Sequence, residues 1–163
     1  MIAFRRIKRL PPPKREQLAC VMACDGEESR YGEFLSWLEE DFVALDHSRR
    51  AYIVAECDGV IVGFVRVWHS PHVKAWFNDG MVVAPAFRRQ GIGRDLLARA
   101  LQLAERMGAR SLISQIRKSN TASIRLHENA GFVPDVTDGP DPYGSPRPAA
   151  RRQYRIRVQA RGE

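Results

Sequence analysis

The chain has few of the residues that usually signal metal or disulfide chemistry. Its 163 residues include three cysteines (Cys20, Cys24 and Cys57) and four histidines. The cysteines lack Cys-x-x-Cys spacing and an odd number cannot all pair, so neither a zinc site nor a disulfide framework is expected. Cys20 and Cys24 lie one helical turn apart and read as small buried hydrophobes. No apolar run approaches the ~20 residues that cross a bilayer, so no membrane span is expected. Met1 to Leu10 is basic but has no apolar h-region and no small-residue cleavage site, which points to a cytoplasmic protein. No Ser-His-Asp or Cys-His arrangement suggests a covalent nucleophile. Aromatics make up only 9% of the chain, and the basic clusters are not interleaved with them. Those clusters lie at Arg5, Arg6, Lys8 and Arg9, at Arg88, Arg89 and Arg94, and from Arg151 to Arg161. Without a stacking pattern or a recognition-helix signature, nucleic acid is not the expected partner, despite a net charge of +7. A polyanionic small ligand suits that charge equally well.

What the sequence does contain is centred on Val82 to Phe132. The apolar run Met81-Val82-Val83 stops at Pro85 and reads as a strand end. A basic turn with two glycines follows, Arg88-Arg89-Gln90-Gly91-Ile92-Gly93-Arg94. Beyond it Leu96, Leu97, Ala100, Leu101, Leu103, Ala104 and Met107 recur at helical spacing, and Gly108 stands where a C-terminal cap belongs. A strand, a glycine turn and a helix in that order put free backbone N–H groups and a positive dipole end at one spot. Such a spot suits a phosphate or pyrophosphate. Two phosphate loops are excluded. No Lys-Ser or Lys-Thr follows Gly93, and Leu96 occupies the third glycine position of Gly-x-Gly-x-x-Gly.

The remaining pattern, Arg-x-x-Gly-x-Gly after Val-x-Pro, resembles the acetyl-coenzyme A loop of the GNAT-type N-acetyltransferases. A second segment is similar to another signature of that superfamily: Asn120-Thr121-Ala122-Ser123-Ile124-Arg125-Leu126-His127-Glu128, closed by Gly131-Phe132. Its Leu-His-Glu form is most similar to the phosphinothricin-type acetyltransferase branch. The likeness runs from about Ala51 to Phe132, and elsewhere it is one of layout. It implies a single GNAT-like α/β domain over 1–163, with a mixed, largely antiparallel twisted sheet of about six to seven strands and helices on both faces. It implies acetyl-coenzyme A as cofactor, held by Met81, Val82 and Val83, by Arg88, Arg89, Gln90, Gly91, Ile92, Gly93 and Arg94, and by Asn120, Ser123 and His127. The acceptor it implies is a small-molecule amine. A protein lysine or N-terminus, or a module that binds coenzyme A without turnover, stays open. A monomer and a homodimer both suit such a chain.

Two residues are candidates for chemistry. Many relatives carry Tyr where this chain has His127, as an acid for the departing thiolate. Histidine can donate there, or accept the amine proton through water. Asp79 stands one place before the position that is often acidic in the family, which is Gly80 here, so a role as base competes with an ordinary turn or bulge role. At 100° per residue Asn120, Ser123 and His127 fall within roughly 60° of one another. Ala122, Leu126 and Ala130 are expected to form the adjoining buried stripe, with Thr121, Arg125 and Glu128 facing water.

The flanks are read more coarsely. Phe4 to Leu10 reads as a first strand, followed by a Pro11-Pro12-Pro13 break and a helix from Lys14 to Cys24. A second helix is expected from Tyr31 to Leu45, striped by Phe34, Leu35, Leu38, Phe42 and Leu45. Its acidic residues Glu33, Glu39, Glu40 and Asp41 read as a solvated face. Asp58-Gly59 between β-branched runs predicts a type I′ hairpin. Val73 to Val83, with Gly80 inside it, predicts a bulged strand. Ser111 to Ile116 reads as a strand and Thr137 to Ala150 as an irregular loop. Arg152 to Ala160 reads as a closing strand: Tyr154, Ile156, Val158 and Ala160 inward, Arg155, Arg157 and Arg161 on a wet face.

Overall fold

The structure is a computed structural model and describes residues 1–43 and 49–159. Leu45, Ala160 and Arg161, placed above on a helix stripe and a strand, lie outside the described residues. The elements are β1 (Ile2–Ile7), α1 (Pro12–Ala23), α2 (Tyr31–Val43), β2 (Arg50–Cys57), β3 (Val60–Ser70), β4 (Ala75–Val83), α3 (Ile92–Arg106), β5 (Ser111–Arg117), α4 (Thr121–Asn129), β6 (Val133–Pro134) and β7 (Arg151–Arg157). The strands form a mixed seven-stranded sheet in the order β1-β2-β3-β4-β5-β7-β6. The described residues divide into two compact units.

The first unit holds Met1–Arg66 and Gly80–Leu96. Here β1 runs antiparallel to β2, from Ile2 opposite Cys57 to Ile7 opposite Tyr52. The first strand therefore starts and ends earlier than the sequence suggested. Its alternation is weak because only Ile7 is fully buried. Asp58 and Gly59 both adopt positive φ, 49° and 80°, as the predicted type I′ turn needs. Leu18, Phe34, Leu38, Tyr52, Val54 and Phe64 are central to the core, with α1 and α2 packed together. Two expectations fail in this unit. Cys20 is exposed and Cys24 and Cys57 are half-buried, because α1 buries Leu18, Ala19 and Val21 instead. Asp41 is not on a solvated face. It is buried, accepts from Arg50 and the Tyr52 hydroxyl, and lies 3.6 Å from Arg66 Nε. Helix periodicity could not show this, since the arginine and tyrosine partners come from strands β2 and β3.

The second unit holds Val67–Asp79 and the described residues from Leu97 onward. Here β4 runs parallel to β5, with Trp76, Phe77 and Asn78 opposite Leu112, Ile113 and Ser114. β7 is antiparallel to both β5 and β6. The α3 stripe is buried as expected at Leu97, Ala100, Leu103 and Ala104, and Gly108 turns the chain with a φ of 78°. On the face of β7 expected to be wet, Arg157 is exposed as anticipated, but Arg155 is half-buried in an ion-pair network around a buried carboxylate. The Asp135 side chain is 1% exposed and accepts from Gln153 Nε2 at 2.7 Å and Arg155 Nε at 3.1 Å. Thr137 donates from both its backbone N–H and its hydroxyl.

Burial alone would raise the Asp135 pKa, but these donors and the Arg155 charge outweigh it and pull the value down to about 2. A depressed carboxylate stabilises the fold above its unfolded pKa of 3.8 and loses that contribution as pH falls toward 2. Asp135→Asn is therefore expected to cost about 2 kcal/mol near neutrality and to flatten stability between these two pH values. Urea titrations across that range check it.

Candidate active site

The glycine turn belongs to the first unit. Ala84 N–H donates to the Val62 carbonyl at 2.8 Å, and a short 3₁₀ turn over Pro85–Phe87 reverses the chain. Arg89 and Gly91 then take left-handed backbone, with φ of 64° and 81°. The first bond of α3 runs from Asp95 N–H to the Gly91 carbonyl at 3.0 Å. The N–H groups of Ile92, Gly93 and Arg94 precede it and have no partner within the helix. Arg89, Gln90 and Arg94 are exposed around them. The φ of Gly91 is what disfavours a side chain there, since a Cβ would stand 3.1 Å from Arg94 Nη2, the movable end of a flexible side chain. Three free N–H groups, a helix dipole and flanking arginines fit a pyrophosphate.

Arg88 behaves differently from its neighbours. Its Nε donates to the Val83 carbonyl at 2.8 Å and its Nη2 pairs with Asp25 just after α1. It braces the turn against β4 and α1. Met81, Val82 and Val83 are half-buried, and Val82 packs on the unit's core. Gly63, which no motif singled out, allows that packing: a Cβ there would meet the Val82 carbonyl at 3.1 Å and Leu96 at 3.3 Å.

The second motif lies in the other unit. Asn120 caps α4, its side-chain oxygen accepting from Ser123 N–H at 3.1 Å. His127 is the one fully buried residue of α4 and is 2% exposed. Its Nδ1 lies 2.8 Å from the Ser123 carbonyl, which can only accept, so Nδ1 carries the proton. Nε2 then presents a lone pair, 3.5 Å from the Asn78 side-chain amide. The ring meets Phe132 edge-on at 5.0 Å. Burial pushes the His127 pKa below its usual 6.5, and the Ser123 carbonyl offsets this only in part. The expected apolar stripe is corrected here. Ala122 and Ala130 are exposed and Leu126 is half-buried, while Thr121, Arg125 and Glu128 face water as anticipated. The helix buries a histidine because β4 offers it a polar neighbour in Asn78, which periodicity on α4 alone cannot reveal.

Asp79 accepts on both carboxylate oxygens, from Trp68 Nε1 at 3.1 Å and from the Tyr143 hydroxyl. Tyr143 comes from the irregular loop, which Ser70 also holds by donating to the Pro142 carbonyl at 2.6 Å. Trp68, Phe77 and Tyr143 pack edge-on or tilted, with centroids 5.6 to 5.9 Å apart. Asp79 thus ties the loop to the sheet, the ordinary structural role left open beside that of base. Among the described residues no cluster of metal-binding side chains occurs. No helix among them is long and apolar enough to cross a membrane.

The family model of the acetyltransferase (GNAT) family matches residues 15–132. The chain belongs to that family. It is 35% identical over 84 residues to L-methionine sulfoximine/L-methionine sulfone acetyltransferase of Salmonella typhimurium, covering 50% of this chain and 49% of that protein. It is 37% identical over 86 residues to phosphinothricin N-acetyltransferase of Alcaligenes faecalis, covering 50% and 44%. The chain thus spans about half the length of these curated relatives. The PaiA N-acetyltransferase of Thermoplasma acidophilum, solved in complex with coenzyme A, shares the fold at a TM-score of 0.68 and 16% identity, covering 96% of this chain and 99% of that one.

For this GNAT chain, sequence reasoning missed three residues that the structure sets beside the predicted ones. Asn78 and Ser114 lie opposite each other on β4 and β5, and Tyr143 bonds to Asp79. One signal was legible: the polar pair Asn78-Asp79 directly after the apolar pair Trp76-Phe77 within a strand.

Proposed function

We propose that this chain transfers the acetyl group of acetyl-coenzyme A to the amine of a small molecule, as an N-acetyltransferase of the cytoplasm. The observation that carries this is the turn at the start of α3, where three N–H groups without helical partners stand among exposed arginines. In this reading Gly91 to Arg94 bind the pyrophosphate, Arg88 braces their turn, and Asn120 and Ser123 shape the start of α4. The bound thioester supplies the acetyl group. His127 acts as proton acceptor rather than donor, because its one ring proton in the neutral form is committed to the Ser123 carbonyl. The names of the relatives support a small amino acid or antibiotic amine. β3, β4 and α3 each run from one unit into the other, which supports one domain over 1–163.

Release of coenzyme A thiol over a panel of phosphinothricin, L-methionine sulfoximine, aminoglycosides and lysine peptides tests the reading. Turnover is expected with at least one small amine and should rise with pH as His127 becomes neutral and the amine can lose its proton. Turnover with peptides alone, or with none of the panel, overturns it.

A further inference from the structure

Three buried polar groups lie on β4, β5 and α4, with the one on β4 touching the one on α4 and paired in register with the one on β5. Asn78 is 6% exposed, Ser114 is 2% exposed and His127 is 2% exposed. Asn78 and Ser114 are register partners on parallel strands, so their side chains leave the same face of the sheet side by side. Asn78 Nδ2 points at His127 Nε2 across 3.5 Å, a long and weak contact. Asn78 Oδ1 and Ser114 Oγ have no hydrogen-bond partner among the described residues. The groups recorded against His127 are the Ser123 carbonyl and hydroxyl, the Asn78 amide and the Phe132 ring, none of them charged.

Buried oxygens left without partners are costly and are few in native folds. Here one of them belongs to the side chain that reaches a nitrogen lone pair, and the other to its register partner on the next strand. All three atoms accept; the protons at hand are those of the Asn78 amide, one of them turned toward His127 Nε2, and that of the Ser114 hydroxyl. A single ligand atom that satisfies all three must bring three donors. An alcohol brings one and a quaternary ammonium none, whereas a primary ammonium brings three. We infer that Asn78 and Ser114, together with His127 Nε2, seat the amino group of the acceptor, which presumes the amine-acetylating function proposed above.

The proton balance follows from the seat. The ammonium passes one proton to His127 Nε2 and keeps the electron pair on nitrogen. That pair forms the C–N bond to the acetyl carbonyl, and the C–S bond breaks with its pair on sulfur. The new amide nitrogen sheds a second proton. Of the two protons released, one ends on the thiolate and one in solvent.

The test uses methylammonium and tetramethylammonium as probes on the full chain, with the ring ¹⁵N resonances of His127 as readout. The free protein should show Nδ1 protonated and Nε2 bare. Methylammonium should shift Nε2, and tetramethylammonium should not. Ser114→Ala should weaken the methylammonium response about tenfold or more while leaving melting temperature unchanged or raised, since it removes an unpaired buried hydroxyl. Asn78→Leu should weaken the response likewise. In both variants KM for the amine should rise while the thermal shift given by acetyl-coenzyme A stays as in the parent. Equal responses to the two ions, a protonated Nε2, or an unaltered response in folded Ser114→Ala overturns the seat. If methylammonium binds as described but no amine is acetylated, the seat stands and the proposed function falls.

Discussion

His127→Ala is expected to lower kcat by about 100-fold, the usual span for a lost acid or base, with acetyl-coenzyme A binding little changed. The wild-type ring can accept a proton only while neutral. Burial holds its pKa below 6.5, so the neutral form persists into mildly acidic solution and the acid limb of kcat/KM should fall below that value. The same direction gives a stability effect of known sign. A histidine whose folded pKa is lowered stabilises the protein above pH 6.5 and loses that contribution as pH falls toward the folded value. His127→Ala should therefore also reduce acid sensitivity. His127→Tyr separates chemistry from packing. A proton acceptor should leave Tyr about as inactive as Ala, since a neutral phenol is a poor base, whereas a donor should leave Tyr the more active. A residue that only packs should leave Tyr the less stable of the two, because the ring is enclosed by Phe132 and Asn78. Matched kinetics and melting curves distinguish these, and an unimpaired kcat in folded His127→Ala removes the residue from the mechanism.

Gly93→Val is expected to abolish the stabilisation given by acetyl-coenzyme A. A ligand that binds only the folded chain contributes ~2.7 kcal/mol at a hundredfold excess over its dissociation constant. Side chains in a first helical turn tilt toward the N-terminus, which here is where the free N–H groups point. Gly93 lies inside α3, where glycine is itself a poorer helix former than valine, so the substitution should cost the helix little. Gly91 is the poorer test, because any side chain is strained at its φ of 81°. The wild-type shift should also shrink with salt, as ionic contacts at an exposed turn do. A full ligand shift in Gly93→Val at low salt would falsify the assignment of this turn.

The sequence by itself determined the local elements and the order of the two motifs. Asp58-Gly59 with β-branched flanks is a hairpin whatever surrounds it, and the Leu96–Ala104 periodicity is a helix with one buried face. The turn from Arg88 to Arg94 was legible because glycine geometry and helix ends are properties of neighbouring residues. What tertiary structure decided were the partners that come from far along the chain. Asp41 is a solvated acid by helix spacing, but Arg50, Tyr52 and Arg66 on β2 and β3 make it a buried one. Asp79 reads as either a base or an ordinary turn or bulge residue until Tyr143, 64 positions away, donates to it. His127 reads as a donor or an acceptor equally well. The Ser123 carbonyl and Asn78, one on its own helix and one on β4, leave its neutral ring an acceptor at Nε2. Short-range pattern reports which face a side chain takes, whereas its protonation and chemistry follow from the groups that packing brings against that face.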